Sequence, residues 1–300
     1  MKKLILGTES QYLKKSFDYP VISYTKEIFA NGEIYIRINE NIVGQEIFII
    51  KSIVNPINEN LVQLLILIDA IKRAGAKRIN LICPFLCYTR QDRMSTYGEP
   101  ITARLVADLL TKAGVKKLFT IDLHSNQIEG FYDIPVINLS FDQFFTKKFQ
   151  NIDKNKYIVV SPDVGGLKRA NYFAKSLDLP LVVLNKTRKA HNQATITQII
   201  GDDYENKNAI IFDDMIDTGG TIMAAAKVLK ENKVKKIFVC ATHGIFSNNA
   251  LDAIIKSDID HLYISNTIPQ TIESKKITIL PIVKILKSVF SKFSDQQKYT

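Results

Sequence analysis

The chain has 300 residues, 46% of them hydrophobic, and a formal net charge of +10 at pH 7. Near-even apolar and polar usage over that length excludes a disordered chain and gives room for two compact domains, each with a core. Three cysteines with no CxxC spacing exclude a disulfide framework and a zinc site and fit reduced cytoplasmic thiols. The apolar run at Leu4–Leu6 is too short for a signal peptide, and no later run has the length of a membrane span. The positive charge is scattered as Lys-Lys and Lys-Arg pairs ahead of strands, not gathered in a basic block with interleaved aromatics, so nucleic acid is not the expected partner.

In chain order, strands alternate with helices from end to end, which predicts mainly parallel sheets with right-handed crossovers. Leu4–Leu6 opens a sheet, Glu33–Ile38 reads as a half-exposed strand or hairpin, and Ile47–Ile50 is the next buried strand. Leu61, Leu64, Leu65, Ile68 and Ile71 share one face of a helix that Asn58 is expected to cap and Gly75 to end. A strand at Ile79–Cys83, a polar loop, a helix at Ile101–Ala113, a strand at Leu118–Ile121 and a short helix at Phe141–Phe149 follow. Apolar periodicity lapses at Gln150–Lys156, which places a domain boundary there and divides the chain into residues 1–150 and 151–300. The second half repeats the pattern with strands at Ile158–Val160, Leu181–Leu184, Ala209–Phe212, Ile237–Cys240 and Leu262–Ile264, and ends in a helix with a lysine-rich face from Lys284 to Lys292, free to pack back on the first domain.

The chemistry collects at the carboxyl ends of these strands, where open parallel sheets bind ligands. After the strand Ala209–Phe212 comes Asp213-Asp214-Met215-Ile216-Asp217-Thr218-Gly219-Gly220-Thr221, and then an apolar-faced helix from Ile222 to Leu229. Backbone N–H groups of Thr218–Thr221 at a helix N-terminus suit a phosphate, whereas Asp213, Asp214 and Asp217 suit sugar hydroxyls or a cation, because anions repel phosphate. Ser161-Pro162-Asp163-Val164-Gly165-Gly166 offers glycines for close approach to a diphosphate and Asp163 for a divalent cation. Asp122-Leu123-His124 follows another strand, Lys186-Thr187-Arg188-Lys189 reads as a mobile basic lid, and in the loop after Cys83 the arginines of Arg90-Gln91-Asp92-Arg93 can grip phosphates while Phe85 and Tyr88 stack on a base.

These words together resemble the ribose-phosphate pyrophosphokinase family from about Phe29 to Ile285. They are Phe29-Ala30-Asn31-Gly32-Glu33, Ile38-Asn39-Glu40-Asn41, Tyr88 to Arg93, Asp122-Leu123-His124, Gln127-Ile128-Glu129-Gly130-Phe131, Ser161 to Gly166, Asp213 to Thr221 and Ala241-Thr242-His243. Asp213 to Thr221 alone allows any type I phosphoribosyltransferase, and the words around Arg90 and His124 narrow it. The resemblance implies an α/β fold of two type I phosphoribosyltransferase-like domains, each a mainly parallel sheet flanked by helices. It implies magnesium-dependent transfer of the diphosphoryl group of ATP to ribose 5-phosphate in a cytoplasmic homo-oligomer, usually a hexamer. By position, Asp217, Thr218, Gly219, Gly220 and Thr221 hold ribose 5-phosphate with Asp213 at the ribose. Phe29, Asn31 and Glu33 meet adenine from a neighbouring subunit, and Arg90 and Gln91 contact ATP. His124 and Asp163 place magnesium, and Lys186 and Arg188 are catalytic, Arg188 also at ribose 5-phosphate.

The sequence departs from the family at Val43, where many members carry an arginine of the allosteric phosphate site. Met94 to Gly98 lacks the usual basic residues, and Thr187, Lys189 and Ala190 interrupt an arginine- and proline-rich loop. Inherited regulation is therefore in question. A non-catalytic associated subunit would be expected to lose catalytic words that are present here, and a phosphoribosyl-pyrophosphate-sensing transcription regulator would need a helix-turn-helix for which the first residues leave no room.

Overall fold

The computed structural model describes residues 2–190, 193–201 and 204–295, and the chain divides into two compact units. The first runs to Leu139 and also takes Thr267–Pro269 and the chain from Val283 on; the second is Ser140–Asn266 with Gln270–Ile282.

The first unit is built on β1 (Lys2–Leu6), a hairpin of β2 (Tyr24–Ile28) and β3 (Ile34–Ile38), β4 (Glu46–Ile50), α1 (Ile57–Arg73), β5 (Arg78–Cys83), α2 (Thr102–Ala113), β6 (Lys117–Ile121) and β7 (Val136–Leu139). Five strands form a parallel sheet in the order β1-β4-β5-β6-β7. Side chains alternate across it. Ile47 and Ile49 belong to the core with Leu64, Leu67, Ile68 and Ile71 of α1, all fully buried, and each contributes roughly 1.5–3 kcal/mol of transfer free energy. Phe48, on the other face, meets Phe290 of the last helix, α7 (Val283–Asp295), at 5.1 Å between ring centroids. The solvated face expected of that helix is thus one side of a helix whose Leu286, Val289 and Phe290 are buried.

Asn58 does not cap α1. The cap position is Pro56, which has no N–H of its own to lose, and Asn58 lies in the first turn, where its Oδ1 accepts from the Tyr88 hydroxyl. Gly75 does end the helix, at φ +82°, a conformation that an L side chain resists.

The second unit carries α3 (Asp142–Phe149), β8 (Tyr157–Ser161), α4 (Leu167–Leu177), β9 (Leu181–Ala190), β10 (Gln193–Ile200), β11 (Asn208–Ile216), α5 (Gly220–Glu231), β12 (Ile237–Gly244), α6 (Ala250–Lys256), β13 (His261–Ser265) and β14 (Ile277–Leu280). Its seven-stranded sheet has the order β10-β9-β8-β11-β12-β13-β14 and is parallel except for β10. β11 is central and reads as a continuous apolar run, with Ala209–Phe212 fully buried, as strands covered on both faces do. One face packs Ile222, Ala225, Ala226 and Leu229 of α5; on the other, Phe212 stacks on Phe173 of α4 at 4.1 Å and meets Phe145 of α3 edge-on at 5.9 Å. Those rings explain why α3 goes with the second unit and the division falls at Leu139/Ser140, ahead of the polar run at Gln150–Lys156. A boundary read from polarity finds the end of a hydrophobic pattern, and here the pattern crosses into the next unit before it ends.

Candidate active site

The glycine turn Asp217–Thr221 is made by β11 running into α5. Gly219 sits at φ +74° with Ile254 Cδ1 3.3 Å from where a Cβ would be, so the turn wants glycine for both conformation and space. Behind it, the Ser247 N–H donates to the Asp217 carbonyl at 3.1 Å and the Ile245 N–H to the Ile216 carbonyl at 2.8 Å, which fixes the loop from the β12 side. Thr218 and Gly220 are exposed, and the first N–H groups of α5 have no preceding helical turn to bond. That is an anion cradle at a helix N-terminus.

The acidic pair is asymmetric. Asp214 is 3% exposed and Asp213 half-buried. Arg169 of α4 places Nη1 2.7 Å from Asp214 Oδ1 and 3.9 Å from Asp213 Oδ1, and the Asp214 N–H donates to Asp213 Oδ1 at 2.8 Å. Burial first, and the neighbouring Asp214 charge second, push the Asp213 carboxyl well above the usual carboxylate range, with the guanidinium pulling the other way. Sequence reasoning missed Arg169; the available signal was an arginine one turn into the helix that follows Gly165-Gly166.

The Ser161–Gly166 loop leaves β8, which is hydrogen-bonded to β11 with Val159 opposite Ile210 and Val160 opposite Ile211, so Asp163 and the acidic pair share one sheet edge. Asp163 Oδ1 accepts the Gly166 N–H at 2.9 Å and the Ser161 hydroxyl donates to the Asp163 carbonyl at 2.7 Å, which orients the carboxylate. A hard carboxylate oxygen held in this way fits a magnesium ion that takes one or two protein carboxylates and fills its remaining positions with phosphate oxygens and water. Among the described residues no group of three or more His, Cys, Asp and Glu side chains forms a metal cage.

Lys186 and Arg188 lie on β9, expected as a mobile lid beyond Leu184. The structure instead carries β9 on to Ala190 and pairs it with β10, with Lys186 opposite Ile196 and Arg188 opposite Ala194. β-branched Thr187, Thr195 and Ile196 favour that extension. The side chains of 186–197, and with them the Lys186 and Arg188 groups expected to be catalytic, lie outside the described residues.

In the first unit, His124 follows β6 by way of Asp122, a non-glycine residue at φ +43°, a strained setting of the kind that accompanies functional strand ends. The Leu123 N–H donates to Asn138 Oδ1 at 3.1 Å. Buried Asp92 holds the next residues, accepting from the Ser125 hydroxyl at 2.6 Å and Gln127 Nε2 at 2.8 Å. Asp92 thereby joins the loop of Arg90 and Gln91 to the loop of His124, a role that spacing could not reveal. The Gln91 carbonyl accepts from Ala103 at 3.1 Å and its Oε1 from the Thr102 hydroxyl, so its side-chain N–H₂ is the end offered as a donor. Phe85 is 6% exposed and belongs inside, and Tyr88 is tied to Asn58, so neither is presented to a base as expected. Phe29, Asn31 and Glu33 are exposed at the β2–β3 hairpin tip, with Phe29 stacked on Tyr35 at 5.9 Å and Asn31 Oδ1 accepting the Glu33 N–H.

The cysteines are not part of this chemistry. All three are buried, and desolvation raises the Cys83 and Cys240 thiols well above, and Cys87 to about 12.

Comparison with known proteins decides the family. The N-terminal domain of ribose phosphate pyrophosphokinase matches residues 4–114, and the phosphoribosyl synthetase-associated domain matches residues 190–297. The ribose-phosphate pyrophosphokinase of Mycoplasma pneumoniae is 47% identical over 257 residues, 84% of this chain and 78% of the relative. That of Aquifex aeolicus is 41% identical over 94% of this chain and 92% of its own. The chain belongs to the ribose-phosphate pyrophosphokinase family. Its fold agrees with a solved phosphoribosylpyrophosphate synthetase from Mycobacterium smegmatis, with a TM-score of 0.90 and 37% identity over 97% of this chain and 99% of that one. A ribose-phosphate pyrophosphokinase makes 5-phosphoribosyl 1-pyrophosphate, and that is this chain's activity.

Proposed function

We propose that the chain divides this reaction between its two units, with ribose 5-phosphate on the second and ATP on the first. The observation that carries the reading is the turn at Asp217–Thr221, an anion cradle flanked on one edge by Asp213 and Asp163. The 5-phosphate lies on the N–H groups of Thr218–Thr221, and Asp213 and Asp217 accept ribose hydroxyls. The anomeric hydroxyl oxygen then attacks the β-phosphorus of ATP; an O–P bond forms there, the hydroxyl proton passes to solvent, the bridge to the α-phosphate breaks, and AMP leaves. Attack on so anionic a centre depends on positioning and on charge neutralisation. Arg90, Gln91, Lys186 and Arg188 supply donors to the phosphates, with Lys186 placed at the transition state. Asp163 and His124 are the residues that would hold magnesium, which would supply charge neutralisation at the phosphates. Phe29, Asn31 and Glu33 complete an adenine site on a neighbouring copy, so the working form is a cytoplasmic homo-oligomer, a hexamer on the family pattern.

The test is AMP release from ATP, followed with and without ribose 5-phosphate and with magnesium removed by EDTA. AMP release that depends on both supports the reading, and release without ribose 5-phosphate overturns it.

A further inference from the structure

Two carboxylates pair with one guanidinium in the second unit. Asp214 and Asp213 face Arg169 from β11 at 2.7 and 3.9 Å, and Asp142, at the start of α3, feels the same cation. On β12 the residue opposite Asp213 is Ala241, which brings no charge, and on the β8 side Asp163 has one oxygen on the Gly166 N–H. Arg169 is thus the basic group aimed at an acidic pair that must meet a polyhydroxylated substrate. An ionised carboxylate offers both oxygens as acceptors to sugar hydroxyls, and protonation turns one of them into a donor.

We infer that Arg169 is a positioning residue for the reaction, fixing Asp214 and through it keeping Asp213 available as the acceptor for ribose hydroxyls. The inference rests on the placement of Asp213 at the ribose proposed above. The geometry has two parts. Asp213 Oδ1 is tied by the Asp214 N–H, whose own side chain is anchored on Arg169, so the guanidinium sets the orientation of both residues. Arg169 also opposes, without cancelling, the upward push that burial and the adjacent Asp214 charge exert on the Asp213 carboxyl. α4 is well suited to hold such an arm, since Ala170, Phe173 and Ala174 of the same helix are buried.

The experiment compares Arg169→Ala, Arg169→Lys, Asp214→Asn and Asp213→Asn in steady state with both substrates, across pH, with thermal melts as the control for folding. Arg169→Ala should raise the KM for ribose 5-phosphate about tenfold or more with the KM for ATP little changed, and Arg169→Lys should recover part of it. The acid limb of kcat/KM for ribose 5-phosphate should move up by about one pH unit or more in Arg169→Ala, where a cation is lost. It should move down in Asp214→Asn, where a like charge is lost and Arg169 remains. Opposite shifts support the inference. Limbs that stay put or move together, or KM values for both substrates that rise together, overturn it. Asp213→Asn separates the two readings: a wild-type KM for ribose 5-phosphate in that variant removes Asp213 from the ribose, whatever Arg169 does.

Discussion

At the scale of single residues, the acidic pair gives a stability signature independent of catalysis. Asp213 titrates above its ordinary value because burial and Asp214 disfavour its charge. Its folded value being raised, the stability it contributes is full below the unfolded value and is lost as pH rises from the ordinary carboxylate range through the folded value. Thermal melts of the ligand-free protein should therefore fall across that window, and Asp213→Asn should flatten the fall; an unchanged slope in the variant would place the titration elsewhere. Lys186 belongs to the same scale. Removing one preorganised donor to a transition state typically costs about 100-fold or more in turnover. Lys186→Ala should lose at least that while melting as the wild type does, and turnover at the wild-type rate would rule the assignment out. Asp213–Thr221 was legible in the sequence because strand, acids, glycines and helix are contiguous there. Arg169 and Asp92 were not, since each acts across a gap in the chain that only the fold closes, on Asp214 in one case and on Ser125 and Gln127 in the other.

At the scale of elements, strands with unbroken apolar runs and helices with one apolar face were readable; elements defined by pairing alone were not. β2, β7 and β14 are short, and the burial of β7 and of most of β14 is only partial, so no run of buried residues announces them. β10 is recognisable only by its antiparallel register with β9. The start of α1 was misplaced because capping propensity at Asn58 competes with Pro56, and proline wins by fixing the backbone two residues earlier. The turn between β11 and α5 gives a prediction at this scale. An L side chain in the left-handed region costs about 1–2 kcal/mol, and at Gly219 a Cβ would also press on Ile254. Gly219→Ala should lower the melting temperature by several degrees and raise the KM for ribose 5-phosphate by more than the KM for ATP. An unaltered KM in a destabilised variant would separate the turn's structural role from phosphate binding.

At the scale of the whole molecule, no helix among the described residues is long and apolar enough to cross a membrane, and the positive charge is spread over both units. The resemblance implies an anion site lined by basic residues through which inorganic phosphate activates and ADP inhibits, and Val43 and Met94 to Gly98 are where the sequence departs from that pattern. Val43 is 69% exposed and carries no charge. The Met94–Gly98 segment is closed by a carboxylate, Glu99 Oε2 accepting the Ser95 N–H at 2.8 Å and the Thr96 N–H at 3.0 Å. Lys51 and Arg104 could in principle replace the missing cations, and the structure commits both. Lys51 is fully buried, donating to Glu9 Oε2 at 3.1 Å and Asn60 Oδ1 at 3.0 Å, beneath a Gly7 where an added Cβ would run into Glu9 Oε1. Withdrawing that ammonium would strand the Glu9 carboxylate, so it is not on offer to an effector. Arg104 pairs with Asp108 one turn on, with Nη2 at 2.9 Å from Oδ1, and both ends are exposed, which makes it a weak pair but a poorly focused anion ligand. Losing one charge-assisted contact costs roughly 1.5–3 kcal/mol of effector binding, about ten- to a hundredfold in affinity. Phosphate should accordingly not be an obligatory activator, and ADP should inhibit mainly by competing with ATP. Initial rates against ATP at several ADP concentrations, with and without phosphate in a non-phosphate buffer, test this. The expected pattern is full activity without phosphate and ADP inhibition relieved by saturating ATP. Inhibition that persists at saturating ATP, or activity that waits for phosphate, would mean that Arg104 leaves Asp108 to rebuild the site, and Arg104→Ala would then abolish the effect.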